Sequence, residues 1–352
     1  MDSLTQLALG ASLGEATLGR KVGRKAMAWG ALAGTLPDLD VLAGPLLTAA
    51  EALRFHRGAS HSLLFAPLVA PLLGLLVAWL YRKRGGVHAD WKGWAWLFLW
   101  TLWTHPIIDW LTIYGTQLLW PFSDAPLEAG ALFIIDPLYT APLLIALVRS
   151  LFTSDAQTRL RWNRWGLIVS TLYACWGLYA SHRVEQLAWD NLRAQGLDEQ
   201  VDRVLTGPAP LTTLAWNVFA RTDSVVWTSR YAFLEDDDTF AFEPIARRWQ
   251  RVDSVRGTEA FEAVDWFSQG FGAARLADNG HLRIHDLRFG RTLTPDGVDA
   301  EDGDVFRFDF YRQPNGALTF RQLPPTADLG KTLSAVWRSV KGENPAPNTR
   351  SD

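Results

Sequence analysis

Two segments of this chain place histidines where they could grip a cation, His56-Arg57-Gly58-Ala59-Ser60-His61-Ser62 and Thr104-His105-Pro106-Ile107-Ile108-Asp109. His105 and Asp109 stand i, i+4, which puts them one turn apart on one helical face, able to hold a single ion. His56 and His61 do not share a helical face. Ser60 is a natural N-cap, which would place His61 in a first turn and His56 on the loop before it, with their imidazoles still able to converge. A third segment, Pro37-Asp38-Leu39-Asp40, sets two carboxylates beside a helix-breaking proline, and Asp136 adds another. Imidazole and carboxylate without thiolate suit zinc, and manganese or iron as well, rather than calcium. An open position on such an ion lowers the pKa of bound water to about 7, the chemistry a hydrolase needs. The three histidines and the carboxylates of Asp38, Asp40, Asp109 and Asp136 are enough for one ion or two. The expected general base is a spare carboxylate, Asp40 or Asp38.

Each group also has a structural role open to it. A neighbour can satisfy His105 inside its helix, and His56 lies on a loop that Arg57 and Ser60 mark as wet. Asp38, Asp40 and Asp136, the last just before Pro137, can cap broken helices. Glu15, near Arg20, reads as an ion pair, and Tyr114-Gly115 as a helix end. His281 and His285 fall on one strand face with no third ligand evident, and the acidic run 235–238 lacks the spacing of a calcium loop.

The elements that must position these residues divide at about residue 181. Before it the chain is built of apolar blocks at 26–47, 63–81, 93–120, 131–148 and 166–180, against the roughly 20 residues of a spanning helix. A weaker opening stretch, 4–18, contains Gln6 and Glu15 and could span, lie in the interface or pack in the bundle. Ionisable groups at membrane depth are costly and mark function, so the placement of the histidines is informative. The sequence therefore predicts a polytopic α-helical membrane bundle of five to six helices over 1–181, followed by a small soluble α+β domain at 182–341 and a disordered tail at 342–352.

Loop charge gives an orientation. Arg20-Lys21-Val22-Gly23-Arg24-Lys25, Tyr81-Arg82-Lys83-Arg84 and the basic stretch 159–164 belong inside, and 121–130, with Asp124 and Glu128, outside. The protein is expected to be multi-pass, with its C-terminal domain outside the cytoplasm. At about 1.5 Å per residue, Asp38 and His105 would each lie roughly 18 Å from the inner edge of a core about 30 Å thick. The polar groups would then meet in its outer half.

After 181 the pattern changes. A helical exit at 182–195 is punctuated by Gly207-Pro208-Ala209-Pro210, strands are expected at 216–220 and 225–233 around Arg221-Thr222-Asp223-Ser224, and 258–267 has helical spacing. Further strands are expected at 273–276, 281–287 and 306–311, with a turn at Asp278-Asn279-Gly280. A net charge of −3 gives no footprint for nucleic acid, and the single cysteine, Cys175, leaves no intrachain disulfide and little for thiol catalysis.

Pro37-Asp38-Leu39-Asp40, His56-Arg57-Gly58 with His61-Ser62, and His105 with Asp109, Thr112, Gly115 and Leu118-Leu119-Trp120-Pro121 together resemble the predicted membrane-bound metal-dependent hydrolase family, also described as LexA-binding, inner-membrane-associated hydrolases. The likeness covers roughly residues 1–150. It implies an inner-membrane protein with a metal site, and matching positions carry the ligand role to Asp38, Asp40, His56, His61, His105 and Asp109. The chain departs from many relatives at Gln6, where they place a histidine. The expected substrate is an ester or phosphoester, of a lipid or lipid-linked molecule by location, with a partner protein as a role for the soluble domain. A metal-ion or proton transporter is the rival, disfavoured because the inner helix halves carry few polar groups apart from Glu15. A non-catalytic scaffold is the third reading.

Overall fold

The structure, a computed structural model, describes residues 1–84, 89–235, 237–277, 280–291 and 304–324, with Arg338 and Val340. The chain divides into two compact units. The first comprises Met1–Ala43, Phe55–Ala129 and Ile134–Leu178; the second comprises Gly44–Arg54, Gly130–Phe133 and the chain from Tyr179 onward.

The first unit opens with α1 (Ser3–Val22), capped by Asp2, whose carboxylate accepts from Thr5 N at 3.0 Å. It packs on α2 (Lys25–Thr35) through glycine. A methyl added at Gly10 would stand 2.3 Å from the Gly30 carbonyl oxygen, and one at Gly14 would stand 2.1 Å from that of Ala26, so the backbones themselves are in contact. Pro37 then begins a ten-residue 3₁₀ segment, Pro37–Leu46, far beyond the three or four residues such helices usually run. The short α3 (Ala49–Phe55) follows, within the second unit until its last residue.

Helices α4 (Phe65–Arg84) and α5 (Trp91–Trp110) pair along their length. Ala66, Ala70 and Val77 of α4 face Trp94, Leu97, Phe98 and Leu102 of α5 in one buried cluster. That stripe on α5 continues at helical spacing into Thr101, His105, Ile108 and Asp109, all buried, so the face that packs the helix also delivers the polar pair inward. Next come α6 (Pro137–Phe152) and α7 (Ala156–Ala194), the latter running on into the second unit.

The expected bundle of five to six spanning helices is not what these residues form. Among the described residues, α4 alone is long and apolar enough to cross a membrane, with mean hydropathy 1.6 over Phe65–Arg82. The block 26–47 breaks at Pro37 into an 11-residue helix and the 3₁₀ segment, because proline lacks the donor that continues a helix. The block 93–120 ends as helix at Trp110, and 131–148 yields only a 16-residue helix. The block 166–180 is the middle of a 39-residue helix with charged ends, and α1 carries buried Gln6 and Glu15. With one candidate span among the described residues, the multi-pass count is not supported, and neither is the outward orientation read from loop charge.

In the second unit, β1 (Arg203–Pro208), β2 (Ala215–Arg221), β3 (Val225–Ala232) and β4 (Glu243–Ala246) form one antiparallel sheet in that order. The β2–β3 hairpin lies where the Arg221-Thr222-Asp223-Ser224 signal pointed, with Arg221 opposite Val226. Trp216, Val218 and Ala220 alternate toward one face, where Ala180, Val184, Leu187, Ala188 and Leu192 of α7 cover them. After α8 (Glu259–Ser268), capped by Thr258, the strands β5 (Gly272–Leu276), β6 (Leu282–Arg291), β7 (Asp304–Arg312) and β8 (Leu318–Leu323) form a second antiparallel sheet. β1, β4 and β8 had no strand signal strong enough to mark them. Asp278 and Asn279 of the expected turn, Asp236 of the acidic run and the expected disordered tail at 342–352 lie outside the described residues.

Candidate metal centre

The two aspartates after Pro37 lie two apart on the 3₁₀ segment and are used differently. With three residues per turn, positions i and i+2 point in different directions. Asp38 turns toward His61 and His105, whereas Asp40 turns toward His56 and the loop behind it. His61 ends a short 3₁₀ turn, Ala59–His61, and His105 and Asp109 come from the last turns of α5.

These elements bring four ligand atoms together. His61 Nε2 and His105 Nε2 are 3.1 Å apart, and each lies 3.4 Å from Asp38 Oδ1. Asp109 Oδ2 is 3.2 Å from His61 Nε2 and 3.4 Å from His105 Nε2. For bonds of about 2.0–2.1 Å, the edge of a tetrahedron of ligands is about 3.3–3.4 Å, so these five separations fit one small ion at the centre. Asp109 Oδ2 is buried without a hydrogen-bond partner, which is what a metal ligand looks like without its ion. The four groups Asp38, His61, His105 and Asp109 could hold a metal ion.

The surroundings orient both imidazoles for that task. His105 Nδ1 is 2.7 Å from the carbonyl oxygen of Gly34, which can only accept, so Nδ1 carries the proton and Nε2 keeps its lone pair for the centre. His61 Nδ1 stands 3.0 Å from Ser60 Oγ and 3.5 Å from Asp40 Oδ2, which leaves its Nε2 equally disposed. Ser60 is thus no helix cap: its hydroxyl donates to Asp40 Oδ2 at 3.1 Å. Gln6, at the position where a histidine was expected of relatives, donates from Nε2 to the His105 carbonyl at 3.2 Å and to Asp109 Oδ1 at 3.3 Å.

His56 and Asp40 make a pair of their own beside the four. Asp40 Oδ1 lies 2.9 Å from His56 Nδ1, and Asp40 Oδ2 also accepts from Arg57 N at 3.0 Å. The His56 ring stands edge-on to that of His61, with centroids 6.0 Å apart, and its side chain is partly exposed. Asp136 is elsewhere engaged: it caps α6 by accepting from Leu138 N and Tyr139 N and takes a hydrogen bond from Tyr173.

Arg57 was the reason to regard the His56 loop as wet, but it is 4% exposed. Its backbone is left-handed, φ 59°, a conformation costing a non-glycine residue on the order of 1 kcal/mol. Two hydrogen bonds hold it there, from its own N–H to Asp40 and from Gln117 N–H to its carbonyl at 3.1 Å. The guanidinium packs on the Tyr114 ring at 4.3 Å and lies 3.3 Å from Asp109 Oδ1, which the Met1 amino group also touches.

Charge follows from this packing. Burial pushes the Asp38 and Asp109 carboxyls up, but hydrogen bonds from His105 and His61 to Asp38, and Arg57 beside Asp109, overcome it and hold both well below the usual carboxylate range. For His105 burial acts downward, yet the Asp109 and Asp38 carboxylates beside it win and raise it to about 9. Both carboxylates are thus held ionised, Asp109 beside Arg57 and the Met1 amino group, and a proton or a cation among the four groups adds to their balance.

All of these residues lie within a match to the family model for the YdjM inner membrane protein, which spans residues 1–184, more than half of the chain. The chain belongs to the YdjM inner membrane protein family. Among curated proteins it is similar to the uncharacterized protein YfhP of Bacillus subtilis, 33% identical over 150 residues, which cover 39% of this chain and 42% of that protein. It is also similar to the inner membrane protein YbcI of Escherichia coli K12, 36% identical over 98 residues, 27% of this chain and 53% of that one. The chain spans about half the length of the curated relatives it matches. No solved structure matches it. Family membership makes this an inner-membrane protein, and the candidate centre sits in the part of the chain that YdjM proteins share.

Proposed function

We infer that this protein is a metal-dependent hydrolase of the inner membrane, acting on an ester or phosphoester of a lipid or lipid-linked molecule. The observation that carries the reading is the set of five near-equal separations among Asp38 Oδ1, His61 Nε2, His105 Nε2 and Asp109 Oδ2. Two imidazole nitrogens and two carboxylate oxygens favour zinc, with manganese or iron as the other fitting ions, and the two carboxylates balance a divalent charge. A divalent ion in such a set supplies Lewis acidity and brings the pKa of water to about 7.

The chain's own residues would supply the rest. Asp40 fixes the Nδ1 side of His56 and so presents Nε2 as a proton acceptor next to the centre, the role expected of Asp40 itself passing through the imidazole. Leu39, Val41 and Leu42 are exposed on the same segment that carries Asp38 and Asp40, and α4 starts four residues after His61. That apolar margin supports a substrate with an acyl or isoprenoid part.

Elemental analysis of the detergent-purified full chain tests the reading. About one equivalent of metal per chain, lost in His105→Ala and in Asp109→Asn, is expected, followed by ester or phosphoester cleavage that tracks metal content. A folded wild type that takes up no zinc, manganese or iron after chelation and re-addition would sink the hydrolase.

A further inference from the structure

Arg57 has more hydrogen-bonding capacity than the protein uses. A guanidinium offers five N–H donors in a fixed plane. Nη2 faces Asp109 Oδ1 and Nη1 lies 3.4 Å from Thr112 Oγ1, but Nε is buried without a partner. An orphaned donor on a permanently charged, buried group is rare unless something else binds there. The protein also holds this residue in place against its backbone preference, with Asp40 on its N–H, Gln117 on its carbonyl and Tyr114 against the guanidinium. A mere counter-ion for Asp109 would not call for that placement.

The chemistry of the guanidinium points the same way. Arg57 stands beside Asp109 as a fixed, planar positive group next to the four candidate ligands. A carboxylic ester gains an anionic oxygen only in its tetrahedral intermediate; a phosphoryl group carries one throughout, in the fork geometry that guanidinium recognises.

We propose that Arg57 is the oxyanion-binding residue of this centre and that the substrate is a phosphoester, with a non-bridging phosphoryl oxygen accepting from Arg57 Nε. This rests on the hydrolase reading and narrows it. In the hydrolysis a water oxygen bonds to phosphorus, the P–O bond to the alcohol breaks, and the proton lost by water ends on the departing alkoxide oxygen.

The test is calorimetric binding of inorganic phosphate and of dihexanoyl phosphatidic acid to the full chain in detergent, with metal content measured on every sample. Wild type, Arg57→Lys and Arg57→Gln are compared. The expected result is binding of at least one probe to wild type, weakened about tenfold or more in Arg57→Gln at unchanged metal content, with the lysine variant between. Tighter binding of the lipid would identify a lipid headgroup as the source of the phosphoryl group, and equal binding the phosphoryl group alone. Wild type that holds metal but binds neither probe overturns the proposal and leaves the hydrolase standing. Undiminished binding in Arg57→Gln overturns it too, as does loss of metal in both variants, which would confine Arg57 to holding Asp109. Absence of metal from wild type would instead remove the hydrolase reading, and the phosphate comparison would still decide for or against Arg57.

Discussion

His61 and His105 stand 44 positions apart in sequence, yet their Nε2 atoms lie 3.1 Å from each other in the buried interior of the first unit. Two neutral imidazoles with lone pairs facing at that distance repel, so a proton or a cation must lie between them and the flanking carboxylates. His61→Ala and His105→Ala are each expected to lose bound metal, while a change at Asp136, which caps α6, leaves metal content as in wild type. Metal analysis of Asp136→Asn beside the two histidine variants checks this. Loss of metal in Asp136→Asn would return that residue to the ligand set.

Acidification should release the ion. In the metal-free protein His105 is raised to about 9, so below that pH the ion must displace a proton from the pair. Apparent metal affinity should therefore rise with pH up to about 9 and level off above it. The stability of the metal-free protein runs the other way: a raised folded-state pKa contributes stability that is fully present below the unfolded value near 6.5 and lost as pH rises through about 9. Metal titrations and melting curves at pH 6, 7.5 and 9 read both slopes, and a metal affinity independent of pH would contradict the arrangement.

Asp40 and His56 are expected to separate metal binding from turnover. Asp40→Asn disturbs the groups that orient His61 and should weaken metal binding by about 10–100-fold. His56→Ala should leave metal binding near wild type and lower the cleavage rate by about 10²–10⁴-fold. If His56→Ala strips the metal as completely as His105→Ala does, His56 is a ligand.

Buried Glu15 and Arg159 pair at 3.0 Å, tying α1 to α7. Glu15→Ala strands the arginine and should cost about 3–5 kcal/mol, whereas Glu15→Met with Arg159→Met should be close to neutral. Thermal unfolding of the single and double variants distinguishes these; equal losses in both would mean that the pair is not the source of the effect.

Gly30→Ala should loosen the α1–α2 contact, because the new methyl would stand 2.1 Å from the Gly10 carbonyl oxygen. A cost of about 1–3 kcal/mol is expected. Since Gly34 on the same helix accepts from His105, the metal affinity of this variant should fall as well.

Much of this was legible in the residues because it is local. The i, i+4 spacing of His105 and Asp109 is a property of one helix, and the turn between β2 and β3, the helix after Thr258 and the proline that ends α2 are each written within a few residues. The number of crossings was not legible, because hydropathy over a window does not register a helix that stops at Trp110 or a polar face turned inward, as at Gln6 and Glu15. Nor was the division of labour between Asp38 and Asp40, two residues apart, which depends on which histidines the rest of the unit places on either side of the segment after Pro37.

The sequence by itself determined the chemical inventory: imidazole and carboxylate without thiolate, concentrated in three short segments ahead of residue 110. Only the tertiary structure decided which of those groups meet. His61 reaches His105 because its 3₁₀ turn lies just ahead of α4, which packs along α5, and His105 is oriented by the Gly34 carbonyl, which can accept because α2 ends at Thr35. Arg57 shows the limit most clearly. A charged residue in a loop predicts exposure from composition, and only the packing of Tyr114, Asp109 and the Asp40 hydrogen bond around it makes burial the lower-energy state.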